Sequence, residues 1–346
     1  MQQVRPGSVW IDCADCETIH NLSTAAPEIS TFMLMRLRLL SIVLACAVWG
    51  FASDSLTLSL PASQMDLWSK TTSATMALHY DEALGHAKRL RDINEGAGCV
   101  LENMVRISIY DDKGDTTALV KAGKFLESCK TSGLWDALRK FEIGYVQGET
   151  GHSVKGAMTT RSAAKVFEDS KELEAQAFFA IYAYYIDKSF SWVPFKSDNR
   201  EQYLATLDSA SVKSSRFWQL FLTSLIWMYY DKEDFATGLK LAERGLLRAP
   251  GHPVMLQIKA DMLYRLKRYG ESAAIYEKSA ADYLKRTGAS IRYWCSVLNL
   301  IRIYSDKGDT DKAAAWRGKL DDPKFKALES WMPGSLMDDL KKRKLL

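Results

Sequence analysis

Residues 219–252, QLFLTSLIWMYYDKEDFATGLKLAERGLLRAPGH, run directly into residues 253–286, PVMLQIKADMLYRLKRYGESAAIYEKSAADYLKR, and the second stretch echoes the first at a period of 34. Tyr229 and Phe235 stand where Leu263 and Tyr269 recur, and Pro250 falls near Thr287-Gly288. Within each stretch apolar residues return every three or four positions, the spacing of an amphipathic helix, and strand-like alternation is scarce. A second echo lies further apart. Ile109-Tyr110-Asp111-Asp112-Lys113-Gly114-Asp115-Thr116 returns as Ile303-Tyr304-Ser305-Asp306-Lys307-Gly308-Asp309-Thr310, and each copy reads as a helix ending on Gly with a capping Asp or Thr opening the next.

The same pattern extends outward from about Gln64. Its helix stops are short and polar: Glu95-Gly96-Ala97-Gly98, Lys113-Gly114-Asp115, Glu149-Thr150-Gly151, Ala249-Pro250-Gly251 and Lys307-Gly308-Asp309. Stops this short force neighbouring helices antiparallel. One such hairpin cannot cover its own apolar faces, but a stack of hairpins buries each against the next. The composition agrees. At 346 residues, 47% hydrophobic and 25% charged, with 20 Gly and 8 Pro, the chain is neither disordered nor collagen-like nor a disulfide scaffold. Its net charge of +4 is spread over charges of both signs, which gives no sign of a nucleic-acid binder.

The chain resembles the tetratricopeptide-repeat (TPR) family. Tyr229, Phe235, Gly238 and Pro250 match that family's pattern of small residues, aromatics, a turn Gly and a closing Pro, as do Ala260, Leu263, Tyr269 and Tyr276. Gly144, Gly151, Gly156 and Ala163 match more loosely, and Tyr304, Gly308 and Ala313 match again. The resemblance implies an all-α, right-handed solenoid of stacked antiparallel hairpins, about six or seven of them, with repeats starting near 100, 137, 174, 219, 253 and 294. An earlier helix pair is expected across 64–94 and a C-terminal cap over 321–346, within one domain spanning 53–346. Ser189-Phe190-Ser191-Trp192-Val193-Pro194-Phe195 reads as an insertion that either folds over the groove or meets a partner.

The family's concave face is lined by fixed positions of each first helix. Carried onto this chain they are Phe141, Tyr145, Phe178, Tyr182, Tyr185, Trp227, Tyr230, Gln257, Asp261, Tyr264 and Arg265, with Leu298 and Arg302 from the last repeat. Binding is expected at Tyr145, Phe178, Tyr182, Tyr185, Trp227, Tyr230, Tyr264, Arg265 and Arg302; the other reading makes these rings packing residues of a distorted array. Gln257 and Asp261 stand where chaperone-binding TPR domains carry Lys and Asn, so recognition of a C-terminal carboxylate is not implied. In the repeat near 100, Cys99 opens the first helix and Cys129 closes the second, which brings them together either as a disulfide or as two buried thiols. Cys295 is then left as a packed thiol.

The N-terminal region reads as an export signal. Met35-Arg36-Leu37-Arg38 precedes an apolar run from Leu39 to Ala52, and Gly50 and Ala52 supply the small residues a signal peptidase accepts. That run is about 21 Å as a helix, short of the ~30 Å hydrocarbon core. Residues 1–52 are therefore expected to be an extension and signal peptide, with translation starting at Met33 or Met35 and the product in the periplasm or cell envelope. Two alternatives remain: a buried helix of a cytosolic protein, and acylation at Cys46 in Val43-Leu44-Ala45-Cys46. Cleavage would also remove Cys13 and Cys16, a Cys-x-x-Cys pair without the second pair a zinc site needs.

No catalytic constellation is legible, and no cofactor or metal is implied. His79, His86, His152 and His252 share no ligand spacing. The segment 148–156 lacks the Gly-Lys-Ser/Thr order of a phosphate loop, and no Gly-x-Ser-x-Gly elbow occurs. The expectation is a non-catalytic exported scaffold that docks an extended peptide or a partner protein on an aromatic groove. The alternative is an envelope accessory carrying a small apolar or sugar ligand; an unrecognised enzyme is the third reading.

Overall fold

The computed structural model describes residues 57–114, 116–189 and 197–346. The leader at 35–52, Cys13, Cys16, Cys46 and the insertion at 190–196 lie outside the described residues. Helices pair along the chain: α1 (Ala62–Met76) with α2 (Tyr80–Ile93), α3 (Glu95–Lys113) with α4 (Thr116–Ser128), and α5 (Gly133–Glu149) with α6 (Ser153–Glu168). They are followed by α7 (Leu173–Ser189) with α8 (Arg200–Lys213), α9 (Trp218–Asp231) with α10 (Phe235–Arg248), α11 (Pro253–Arg265) with α12 (Tyr269–Arg286), and α13 (Ile291–Lys307) with α14 (Thr310–Arg317). Two short helices, α15 (Pro323–Leu328) and α16 (Gly334–Lys342), close the chain, and no strand occurs among the described residues. The architecture is an all-α TPR-like solenoid.

The hairpin turns share one local device. A single left-handed residue sits between first and second helix at Leu78, Gly114, Gly151, Glu233, Lys267 and Gly308. At Glu233 and Lys267, one period of 34 apart, the bonding is identical. Glu233 N–H donates to the Tyr230 carbonyl (2.9 Å) and Asp234 N–H to that of Tyr229 (3.0 Å), while Lys267 donates to Tyr264 (2.9 Å) and Arg268 to Leu263 (2.8 Å). This closes the last turn of the first helix on itself and aims the chain back. The following helix often starts from a capping side chain: Asp234 accepts from Thr237 N–H at 3.0 Å and Asp309 from Lys312 N–H at 3.2 Å.

Packing then depends on small residues. A Cβ on Gly144 would stand 2.9 Å from the Gly156 carbonyl oxygen, and one on Gly156 2.6 Å from that of Gly144, so α5 and α6 touch backbone to backbone. One large core runs from Leu58 through α11. Its hub is Phe178, whose ring meets Phe141 (5.9 Å), Phe167 (5.4 Å), Phe217 (5.2 Å) and Phe221 (5.1 Å).

Two contacts curl the stack. Helix α1 does not merely precede the array: Trp68 reaches Trp135 of α5 (6.0 Å) and Phe217 ahead of α9 (5.1 Å), and Leu58 N–H donates to Glu172 beside α7 at 2.9 Å. At the other end Trp331 packs edge-on against Tyr110 of α3 at 5.9 Å, and α13 touches α3. The seventh hairpin thus returns to the second, and the first helices face one another across the inside of the coil.

Candidate functional site

The inward sequence positions separate into two settings. Phe178, Tyr145 and Trp227 are 1%, 8% and 6% exposed and belong to the packed interior. Gln257, Asp261 and Leu298 are buried too, and Asp261 accepts a hydrogen bond from Tyr276 Oη. Phe178 is enclosed by the phenylalanines around it, Tyr145 packs with Ile107, Tyr110 and Trp331 where the chain's end returns to α3, and Trp227 is covered within the core beside Tyr230. Tyr182, Tyr185, Tyr230, Tyr264 and Arg302 are half-buried, and Arg265 is exposed.

Four of these residues form a strip. Tyr230 and Tyr264 occupy the same position of successive repeats, in the last turn of α9 and α11. Each is covered by an arginine from the next first helix. The Arg265 guanidinium lies 5.2 Å from the Tyr230 ring and 4.7 Å from Phe235, and Arg302 lies 4.1 Å from Tyr264. Tyr230 is braced edge-on by Trp227 (5.4 Å) and Phe235 (5.2 Å), and Tyr264 stands 5.7 Å from Tyr269. Tyr264 Oη donates to Asp306 Oδ2 at 2.7 Å; burial first, opposed by Arg302 and helped by Asp306, pushes its phenol up to about 12. Asp306 is also paired with Arg343, the residue that follows α16. Arg302 Nη2 donates to Asn299 Oδ1 at 2.6 Å, yet neither Arg265 nor Arg302 has a carboxylate partner among the described residues. Tyr182 and Tyr185 lie one repeat earlier; Tyr185 packs on Tyr184 at 5.4 Å, and burial raises the Tyr182 phenol against the pull of Arg161.

The inside of the coil holds a second feature, which the sequence reading missed. A cavity of about 190 Å³ lies between α1 and the N-terminal halves of the first helices, walled by Leu101, Val105, Leu138, Phe141, Phe178 and Phe217. Glu142, His252 and Arg292 also line it. Glu142 accepts from Asn103 Nδ2 at 3.0 Å, and burial lifts its carboxyl well above the usual carboxylate range. His252, which the sequence reading gave no ligand role, caps α11 by accepting from Met255 N–H at 3.5 Å, and burial followed by the nearby Arg292 lowers its imidazole to about 4. The signal for Glu142 was present: a carboxylate set inside Phe141-Glu142-Ile143-Gly144-Tyr145-Val146 must face something other than water.

Cys99 and Cys129 are joined as a disulfide with Cα atoms 6.4 Å apart, and Cys295 is a buried thiol. Among the described residues no group of three or more His, Cys, Asp or Glu could hold a metal ion, and no helix is long and apolar enough to cross a membrane.

Among solved structures, the chain is similar to a Rap protein complexed with competence and sporulation factor, at 15% identity and a TM-score of 0.48, over 82% of this chain and 80% of that one. It is also similar to the apo form of RapI, at 12% identity and a TM-score of 0.38, over 81% of this chain and 85% of that one. No family model matches the chain, and no curated protein matches it.

Proposed function

We propose that the protein is an exported, non-catalytic scaffold that docks an extended peptide segment of a partner protein along the Tyr230–Arg265–Tyr264–Arg302 strip. One observation carries this reading: two tyrosines one repeat apart, half-buried and each covered by an arginine that has no carboxylate partner among the described residues. Half-buried rings braced from behind lose little entropy on contact, and a guanidinium lying on a ring keeps N–H edges free for an acidic side chain. A segment carrying aromatic or aliphatic anchors and an acidic residue fits that chemistry. Residues 35–52, which read as a signal, and the Cys99–Cys129 bond support an oxidising compartment.

Selection of peptides from a displayed library on the full chain, followed by hydrogen exchange of the complex, tests the reading. Protection expected at the ends of α9, α11 and α13 should disappear in Arg265→Ala. Fractionation and determination of the mature N-terminus test export.

A further inference from the structure

We infer that the internal cavity is a second ligand site, built for a small organic acid whose apolar body fills it and whose carboxylate meets Arg292. This goes beyond peptide docking, because Tyr230, Tyr264, Arg265 and Arg302 do not line the cavity.

Arg292 carries the inference. It lies near the start of α13, lines the cavity and is only 7% exposed. Its Nε has no hydrogen-bond acceptor, and no carboxylate among the described residues lies within 4 Å of its guanidinium. Such a side chain keeps its charge and has five N–H donors to satisfy. Longer-range neighbours sustain that charge: burial opposes it, but Tyr283, Tyr80, Asp111 and Asp112 outweigh burial. None of those groups makes a hydrogen bond to the guanidinium. Asp112 Oδ2, for instance, accepts from Tyr80 Oη at 3.3 Å. A buried guanidinium without acceptors is a costly arrangement that a carboxylate, accepting two parallel N–H bonds, would relieve.

The remaining walls suit such a ligand. Most are aliphatic or aromatic, and burial moves each other titratable lining group toward its uncharged form, raising the Glu142 carboxyl and the Tyr80 phenol and lowering the His252 imidazole to about 4. Thr223 and Gln219 add hydroxyl and amide groups to the lining. A cavity of about 190 Å³ exceeds the roughly 150 Å³ cavity that accommodates benzene, so an aryl or short alkyl acid is the right size. Half-buried lining residues Thr72, Met76, Gln219 and Val254 mark the side nearest solvent.

Titration calorimetry of the full chain with matched probes tests this. The acids are 3-phenylpropanoate and octanoate; the controls are 3-phenylpropanamide and 3-phenylpropylammonium. At least one acid should bind saturably and one-to-one, with both controls weaker by about tenfold or more, since they lack the fork-matching carboxylate. Arg292→Lys, which keeps the charge but not the fork, should weaken the acid by about tenfold. Arg265→Ala should leave it unchanged. Absence of saturable binding by both acids, or equal or tighter binding of the ammonium through Glu142, overturns the inference even if Arg292→Lys fails to fold. Loss of peptide docking with intact acid binding would sink only the scaffold reading.

Discussion

The rings of Tyr110 and Trp331 meet edge to face at 5.9 Å, joining the second hairpin to the C-terminal cap. Ile291 and Trp331 also crowd Gly114 at the end of α3, so the contact is a packed seam. An open solenoid holds only nearest-neighbour contacts. Here the last hairpin and its cap stabilise an early one.

Trp331→Ala should therefore destabilise the array by about 2 kcal/mol, below a fully buried Trp deletion because the ring is half-exposed. Hydrogen exchange should rise both in α16 and in the distant α3. A rise confined to residues near Trp331 would mean that the seam does not couple the two ends.

The buried His252 makes stability depend on pH. Its folded imidazole titrates at about 4 against an ordinary 6.5, so the unfolded chain binds the proton first as pH falls. The stability this group contributes is complete above about pH 6.5 and is lost between there and pH 4. That window corresponds to about 3 kcal/mol. Glu142 acts in the opposite sense: burial raises its carboxyl in the fold, so its contribution falls as pH rises above the ordinary carboxylate range. His252→Asn keeps a capping side chain and should flatten the acid limb measured by urea unfolding from pH 7 to pH 4. An unchanged limb would place the titration elsewhere.

Glu233 and Lys267 hold left-handed conformations with φ of 58° and 60°. The strain on a side chain there, roughly 1–2 kcal/mol, exceeds the chain-entropy cost of glycine, roughly 0.5–1 kcal/mol. Lys267→Gly should accordingly stabilise by about 0.5 kcal/mol in denaturant titrations. Destabilisation would show that the Lys267 side chain makes contacts that matter more than its backbone.

The Cys99–Cys129 bond spans a sequence separation of 30. Chain-entropy arithmetic assigns it about 3.5 kcal/mol, which Cys99→Ser/Cys129→Ser should forfeit. Labelling of the unfolded, non-reduced mature chain should find one thiol, that of Cys295. Three thiols would disprove the pairing in solution.

The helical stack was legible because its signals are local. Gly114 and Gly308 announce their turns, and the 34-residue echo fixes where α9 to α12 begin. Glu233 and Lys267 carry the same turn geometry without a glycine, so no residue type in the sequence marks those two turns. Tyr230, Tyr264, Arg265 and Arg302 were found because family register names the inward positions. Register carries no measure of curvature, however. How tightly the coil winds depends on Trp68 reaching Trp135 and on Trp331 reaching Tyr110, contacts between residues far apart in the chain. That winding encloses Phe178, Tyr145 and Trp227 and creates the cavity in which Glu142, His252 and Arg292 converge.

The most direct measurement for the scaffold reading is the affinity of a library-selected peptide for the wild type and for Tyr264→Ala, with melting temperatures recorded for both. Docking on the strip requires affinity to fall by at least about tenfold, as a central anchor ring would dictate, while the half-buried ring leaves the melting temperature within a few degrees. Unchanged affinity, or protection on hydrogen exchange confined to the outer helices α8, α10 and α12, would contradict it.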